Sequence, residues 1–108
     1  MKTHLPNCLK AAVLAVSALI GFAHAQSSEA LYIKSLAATC ANCHGTNGKA
    51  TEGSAVVSLA GVPQDYIVTQ MKAFKSGARP ATIMHQLSKG YSDAQIEQIA
   101  AYFAAQKK

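Results

Sequence analysis

The run Cys40-Ala41-Asn42-Cys43-His44 constrains this chain more than any other feature. Two thiols three positions apart, with a histidine directly after the second, form the spacing by which a haem is attached covalently. Each thiol can add across one vinyl group, leaving two thioether bonds. The adjacent histidine then sits beneath the iron as its proximal ligand. The run occurs once, so one haem is implied.

Other readings of the same residues are weaker. A C-x-x-C pair also serves thioredoxin-like dithiol chemistry, but that needs a strand-rich context and leaves His44 without a role. A structural zinc site takes four ligands at paired spacings, and no second pair accompanies this one. A dithiol oxidoreductase or disulfide-containing binding protein without haem remains the rival from another class.

Not all of the 108 residues are expected in the fold. Lys2 and Lys10 flank a start that runs into an apolar stretch over 11–22, followed by Ala23-His24-Ala25. A basic start, a short apolar centre and an A-x-A end predict a cleaved secretory signal peptide over 1–25. Gln26 becomes the first residue and the periplasm the destination. The apolar stretch falls short of the roughly 20 residues a spanning helix needs, so no membrane span is expected after cleavage. Cys8, His4 and His24 leave with the leader. Residues 26–108 then keep Cys40 and Cys43 as thiols, and His44 and His85 as histidines.

Residues 26–108 are predicted to form a single domain. A core of that size gives modest stability and commonly leans on a metal, a disulfide or a partner. A large flat apolar cofactor meets that need. Eight basic residues face five acidic ones over 26–108, a net charge of +3 before haem propionates subtract from it. That excess is too mild to indicate nucleic acid. Solvated lysines explain it, with a basic face for a protein partner as the other account.

Helical patterning runs through the domain. Ser27 and Ser28 are placed to cap a helix from about Glu29, with Leu31, Tyr32, Ser35, Leu36 and Thr39 as its stripe and the attachment run at its end. Gly45 to Gly61 reads as loop, with Val56, Val57 and Leu59 expected to pack on the haem as an extended segment. Pro63 to about Ser76 predicts a helix with Ile67, Met71 and Phe74 on one face, Asp65 near its positive end and Gly77 as its stop. Ala81 to Lys89 allows only a short helical piece. The last helix is the best specified: Ser92 with Gln95 forms a capping box, Tyr91 and Ile96 suit a hydrophobic staple, and Ile96, Ile99, Ala100 and Phe103 form the buried stripe. The expectation is an all-α domain of about four helices.

The iron's sixth position draws on Met71, Met84 and His85. Core packing beside Ile67 and Phe74 accounts for Met71. A lone histidine is more often a satisfied residue than a ligand. Met84 follows Arg79-Pro80, forty positions beyond His44, so the intervening chain can wrap the porphyrin and return on its distal side. Met84 is the favoured ligand, with His85 and an open position as the alternatives. His/Met ligation raises the reduction potential relative to bis-histidine, and a closed iron points to outer-sphere electron transfer.

Cys40-Ala41-Asn42-Cys43-His44-Gly45, Ser58-Leu59-Ala60-Gly61, Ala81-Thr82-Ile83-Met84 and Lys89-Gly90-Tyr91-Ser92-Asp93 through Ala101-Tyr102-Phe103 together resemble class I cytochromes c. More closely they resemble the cytochrome subunit of flavocytochrome c sulfide dehydrogenase and related small bacterial periplasmic cytochromes. The resemblance covers nearly all of 26–108. It implies a non-catalytic haem subunit that accepts electrons from a sulfide-oxidising flavoprotein and passes them to another periplasmic carrier. Carried over residue by residue, Cys40 and Cys43 are thioether sites, His44 the proximal ligand and Met84 the distal one. Relatives often place a proline before Leu-Ala-Gly, where its carbonyl accepts the proximal histidine's N–H. This chain has Val56-Val57-Ser58 there, which leaves the acceptor open, with the Val57 backbone carbonyl able to serve. A free diffusible cytochrome c of a respiratory or photosynthetic chain is the alternative function.

Overall fold

The computed structural model describes residues 28–108. The leader expected over 1–25 lies outside the described residues. Residues 33–108 form one compact unit. The chain is helical over 28–38, here called α1. It continues through a single turn α2 (Ala41–His44), then α3 (Gln64–Ser76), a second single turn α4 (Met84–Leu87) and α5 (Asp93–Ala104). No strand occurs among the described residues, so the all-α expectation holds.

The first helix buries a different face from the one expected. Leu31 and Tyr32 are exposed, whereas Ala37 is buried and Ile33, Leu36 and Cys40 are half-buried. Positions 33, 36, 37 and 40 are spaced i, i+3, i+4, i+7, the stripe of an amphipathic helix. Large apolar side chains at 31 and 32 suggested the wrong face, because a small alanine marks the closest approach. The attachment run is also not the end of α1. A turn at Thr39 and Cys40 intervenes, and α2 is a separate turn that Gly45 ends, its N–H bonding the Ala41 carbonyl at 3.0 Å.

Helices α3 and α5 supply most of the core. Ile67, Val68 and Met71 from α3 meet Ile96, Ile99, Ala100 and Phe103 from α5, with Ala37 joining them. Burying each large side chain contributes about 1.5–3 kcal/mol. Helix α3 ends as the sequence indicates: Gly77 adopts φ 83°, ψ 3°, and bonds the Phe74 carbonyl. This left-handed conformation carries little cost for glycine. The capping box at α5 forms in full, with Ser92 Oγ accepting from the Gln95 N–H at 3.2 Å and Gln95 Oε1 accepting from the Ser92 N–H at 2.9 Å. Tyr91 packs against the cluster that contains Ile96.

The 45–61 segment has no regular extended structure, but it is well tied. One carbonyl, that of buried Gly48, accepts from Ser58 Oγ at 2.8 Å and from the N–H groups of Leu59 and Ala60 at 2.7 and 3.0 Å. Gly48 has φ +77°, and a Cβ there would lie 2.6 Å from Phe103 Cδ1. Glycine suits position 48 for both reasons, and the loop is tied to α5 by the Gly61 N–H, which bonds the Phe103 carbonyl at 2.9 Å.

Candidate haem site

Three of the four sequence-predicted site residues, Cys40, His44 and Met84, come to one place. Cys40, His44, Met71 and Met84 all line a cavity of about 360 Å³. Its wall is mostly apolar, with Leu59, Val62, Ile67, Phe74, Ile99 and Phe103 contributing from the loop, α3 and α5. Cys43 is exposed and lies outside that lining. Cys40 and Cys43 are not joined in a disulfide. Burial pushes the Cys40 thiol pKa up, against a smaller pull from the Thr39 hydroxyl.

His44 is oriented by the backbone. Its Nδ1 lies 2.7 Å from the Val57 carbonyl oxygen. A carbonyl only accepts, so Nδ1 carries a proton and donates it, and in the neutral ring Nε2 is then the nitrogen with the free lone pair. This is the arrangement expected of a metal-ligating histidine, whose other nitrogen is held by a carbonyl or carboxylate. Val57 takes the acceptor role without a proline. Val57 is 70 % exposed and makes the contact with its backbone oxygen, and the Ser58 and Leu59 bonds to Gly48 hold that backbone in place.

Met84 opens α4 and is half-buried against the core cluster. The hydroxyl of Ser88, a fully buried side chain, donates to the Met84 carbonyl at 2.7 Å and lies 3.6 Å from Met71 Sδ. The shorter contact takes the proton, so Ser88 fixes the turn that carries Met84. His85 does not line the cavity. Its Nδ1 is buried and has no hydrogen-bond partner.

Several contributors carried no signal in the sequence. Gly48 read only as loop composition, Ser58 as part of the Ser58-Leu59-Ala60-Gly61 segment without a role of its own, and Ser88 as a polar residue in a short helix. Each acts through a contact made far along the chain or through the backbone. Among the described residues, no three His, Cys, Asp or Glu side chains gather as a group that could hold a metal ion. The thiols and His44 are therefore not arranged as a zinc centre.

The residues present fit a haem. An apolar cavity has at its wall a cysteine of the attachment run, a histidine held through Nδ1 by a backbone carbonyl and a thioether on a pinned turn. Fold and site together define a small all-α haem-binding domain. The family model for cytochrome c matches residues 30–107, and the chain belongs to the cytochrome c family. Its fold is the class I all-α fold and its cofactor is covalently attached haem c, the equipment of a cytochrome c electron-transfer domain.

Curated relatives agree at that level. The chain is 41% identical over 68 residues to the cytochrome subunit of sulfide dehydrogenase from Chlorobaculum tepidum, covering 63% of this chain and 60% of the relative. It is 35% identical over 71 residues to a thiosulfate dehydrogenase electron acceptor from Thiomonas intermedia, covering 66% and 33%. Against cytochrome c4 from Pseudomonas aeruginosa it is 37% identical over 101 residues, covering 94% and 49%. The matched part thus spans between a third and three fifths of these relatives. No helix among the described residues is long and apolar enough to cross a membrane.

Proposed function

We propose that this chain is a periplasmic mono-haem cytochrome accepting single electrons from a sulfide-oxidising flavoprotein and passing them to another periplasmic carrier. Cys40 and Cys43 carry the thioethers, His44 is the proximal ligand and Met84 the distal one. Residues 1–25 are the export leader, and 26–108 the haem domain. The observation that carries this reading is the His44 ring held by the Val57 carbonyl, on the same apolar cavity that Met84 lines.

The haem supplies a ferric–ferrous couple that gains or loses one electron. The Val57 carbonyl fixes the tautomer and orientation of His44 and strengthens its donor nitrogen. Ser88 holds the Met84 backbone, and the soft Met84 sulfur favours the reduced iron. Leu59, Ile99 and Phe103 keep water from the interior. His44 and Met84 would hold the haem iron from the cavity wall, which would leave the group to supply one-electron chemistry without binding a substrate.

The sulfide assignment draws on the motif resemblance and on the name of the Chlorobaculum relative. A second reading is a free diffusible carrier: the cytochrome c4 match over most of the chain shows that the likeness is not confined to sulfide dehydrogenase subunits. Expression of the full chain with haem maturation is expected to give red periplasmic protein beginning at Gln26 and heavier by one haem. Its ferric spectrum should show the weak sulfur-to-iron band near the red edge. Colourless protein would return the thiol-based rivals. Co-purification with a flavin-bearing chain from native extract supports the subunit reading, and a monodisperse monomer without one supports the carrier.

A further inference from the structure

The cavity wall carries one permanent charge. Arg79 lines the cavity and is also exposed, which places it at the mouth. It follows Gly77, at the point where the chain leaves α3, and its N–H bonds the Ala73 carbonyl at 3.1 Å. Its guanidinium lies 4.7 Å from the Phe74 ring centroid, and Nη1 donates to Gln70 Oε1. Tyr66, Gln70 and Phe74 are spaced i, i+4, i+8 on α3, and all three line the cavity with Arg79. The arginine is therefore held at the mouth by a ring beneath it and an amide beside it.

What it lacks is an acid. The ion pairs among the described residues join Lys72 to Glu97 and Lys75 to Asp93, and none reaches Arg79. A guanidinium has five N–H donors in a planar fork matched to a carboxylate, and the amide of Gln70 uses one of them. An arginine stacked, oriented and left with spare donors at the mouth of an apolar cavity is suited to an anionic group on the cavity's occupant.

We propose that Arg79 is a positioning residue that pairs with a haem propionate and thereby raises the reduction potential. This rests on the reading that haem c fills the cavity. An ionised propionate favours ferric iron, and the arginine offsets that charge. Arginine also favours the ionised over the protonated propionate, so it keeps the propionate pKa low. The guanidinium's contacts with Phe74 and Gln70 spare it the cost of being ordered when the carboxylate arrives.

The test is spectroelectrochemical titration of the isolated holo-protein and of Arg79→Gln and Arg79→Lys. At a fixed applied potential and low salt, R79Q is expected to be roughly two- to fivefold more oxidised than the parent, the effect of one charge near the surface. The gap should shrink as salt screens it, and the pH dependence of the midpoint should move to higher pH. R79K should recover most of the midpoint. An unshifted R79Q midpoint, with the c-type spectrum and red-edge band intact, would overturn the proposal and leave Arg79 a structural clamp. So would an R79K midpoint as low as that of R79Q. If R79Q fails to accumulate, the parent-to-R79K comparison across salt decides: a salt-independent drop counts against the charge role. A parent without a c-type spectrum would instead sink the cofactor reading.

Discussion

The hydroxyls of Thr39 and Tyr91 meet at 2.6 Å across 52 positions of sequence. Thr39 Oγ1 is also 2.7 Å from the Leu36 carbonyl, to which it donates its single proton. Tyr91 is therefore the donor between the two hydroxyls. The bond ties the turn before the attachment run to the residue that introduces α5, whose backbone carbonyl in turn accepts from Lys75 at 2.8 Å. Tyr91→Phe keeps the ring and removes the bond. A net hydrogen bond contributes about 0.5–1.5 kcal/mol, so the denaturant midpoint should fall by that equivalent with an unchanged slope. Thr39→Val should cost at least as much, because it also removes the hydroxyl's bond to the Leu36 carbonyl, leaving that oxygen only the Thr39 N–H at 3.3 Å. No loss in either variant would make this contact incidental.

Two methionines line the cavity, and they are expected to respond differently. Met84→Ala should abolish the red-edge ferric band while leaving the covalently attached haem in place. Met71→Leu should keep the band and cost under about 1.5 kcal/mol, as volume-conserving core swaps do. His85→Ala should keep the band as well. Loss of the band in M71L or H85A, with M84A retaining it, would reassign the distal position.

How far the sequence could be read follows from where each interaction is made. The capping box of α5, the Gly77 stop and the stripe through Ile96, Ile99, Ala100 and Phe103 depend on neighbours within a turn or two, and all were legible. Cys40, Cys43 and His44 stood out because their spacing is the haem-attachment pattern, and the structure places Cys40 and His44 on the cavity wall. The buried face of α1 was not: burial at Ala37 reflects how closely the rest of the unit approaches, and hydrophobic size at Leu31 and Tyr32 misled. The clustering of three donors on the Gly48 carbonyl was also invisible, since it joins two stretches of loop with no periodicity. Val57 stood between these cases. A backbone acceptor needs no particular side chain, so the sequence allowed it without singling it out.

Gly48 makes a sharp case for backbone dependence. Gly48→Ala would place a methyl in a left-handed conformation, at about 1–3 kcal/mol of strain. That methyl would also press on the Phe103 ring, and overpacking of this kind adds typically 1–3 kcal/mol. Because the Gly48 carbonyl supports the segment holding the His44 acceptor, thermal stability and retention of the red-edge ferric band in denaturant should fall together. Gly53→Ala is the control: its φ is +78°, yet no atom lies within 4 Å of an added Cβ. It should show the strain without the crowding, and so a smaller loss. Equal losses would mean that the contact with Phe103 is relieved by movement of the ring.

Acid should weaken the fold through one identifiable pair. Lys75 Nζ lies 2.8 Å from Asp93 Oδ1, and its hydrogen bond, followed by its charge, holds the Asp93 carboxyl below its ordinary value of 3.8. A carboxyl whose folded pKa is depressed binds protons more weakly folded than unfolded. Its contribution to stability is therefore complete above the ordinary carboxylate pKa near 4 and is lost as pH falls through the lower folded value. Asp93 is exposed, so the effect is small at physiological salt and grows as salt is lowered. The measurement is the denaturant midpoint of the holo-protein at about pH 7 and about pH 3. Asp93→Asn and Lys75→Gln should each reduce the drop between the two, the first by removing the titrating group and the second by returning its pKa to normal. Lys75→Gln also loses the bond to the Tyr91 carbonyl, so it alone should lower the midpoint at both pH values. An acid drop in Asp93→Asn as large as the parent's would place the acid sensitivity elsewhere.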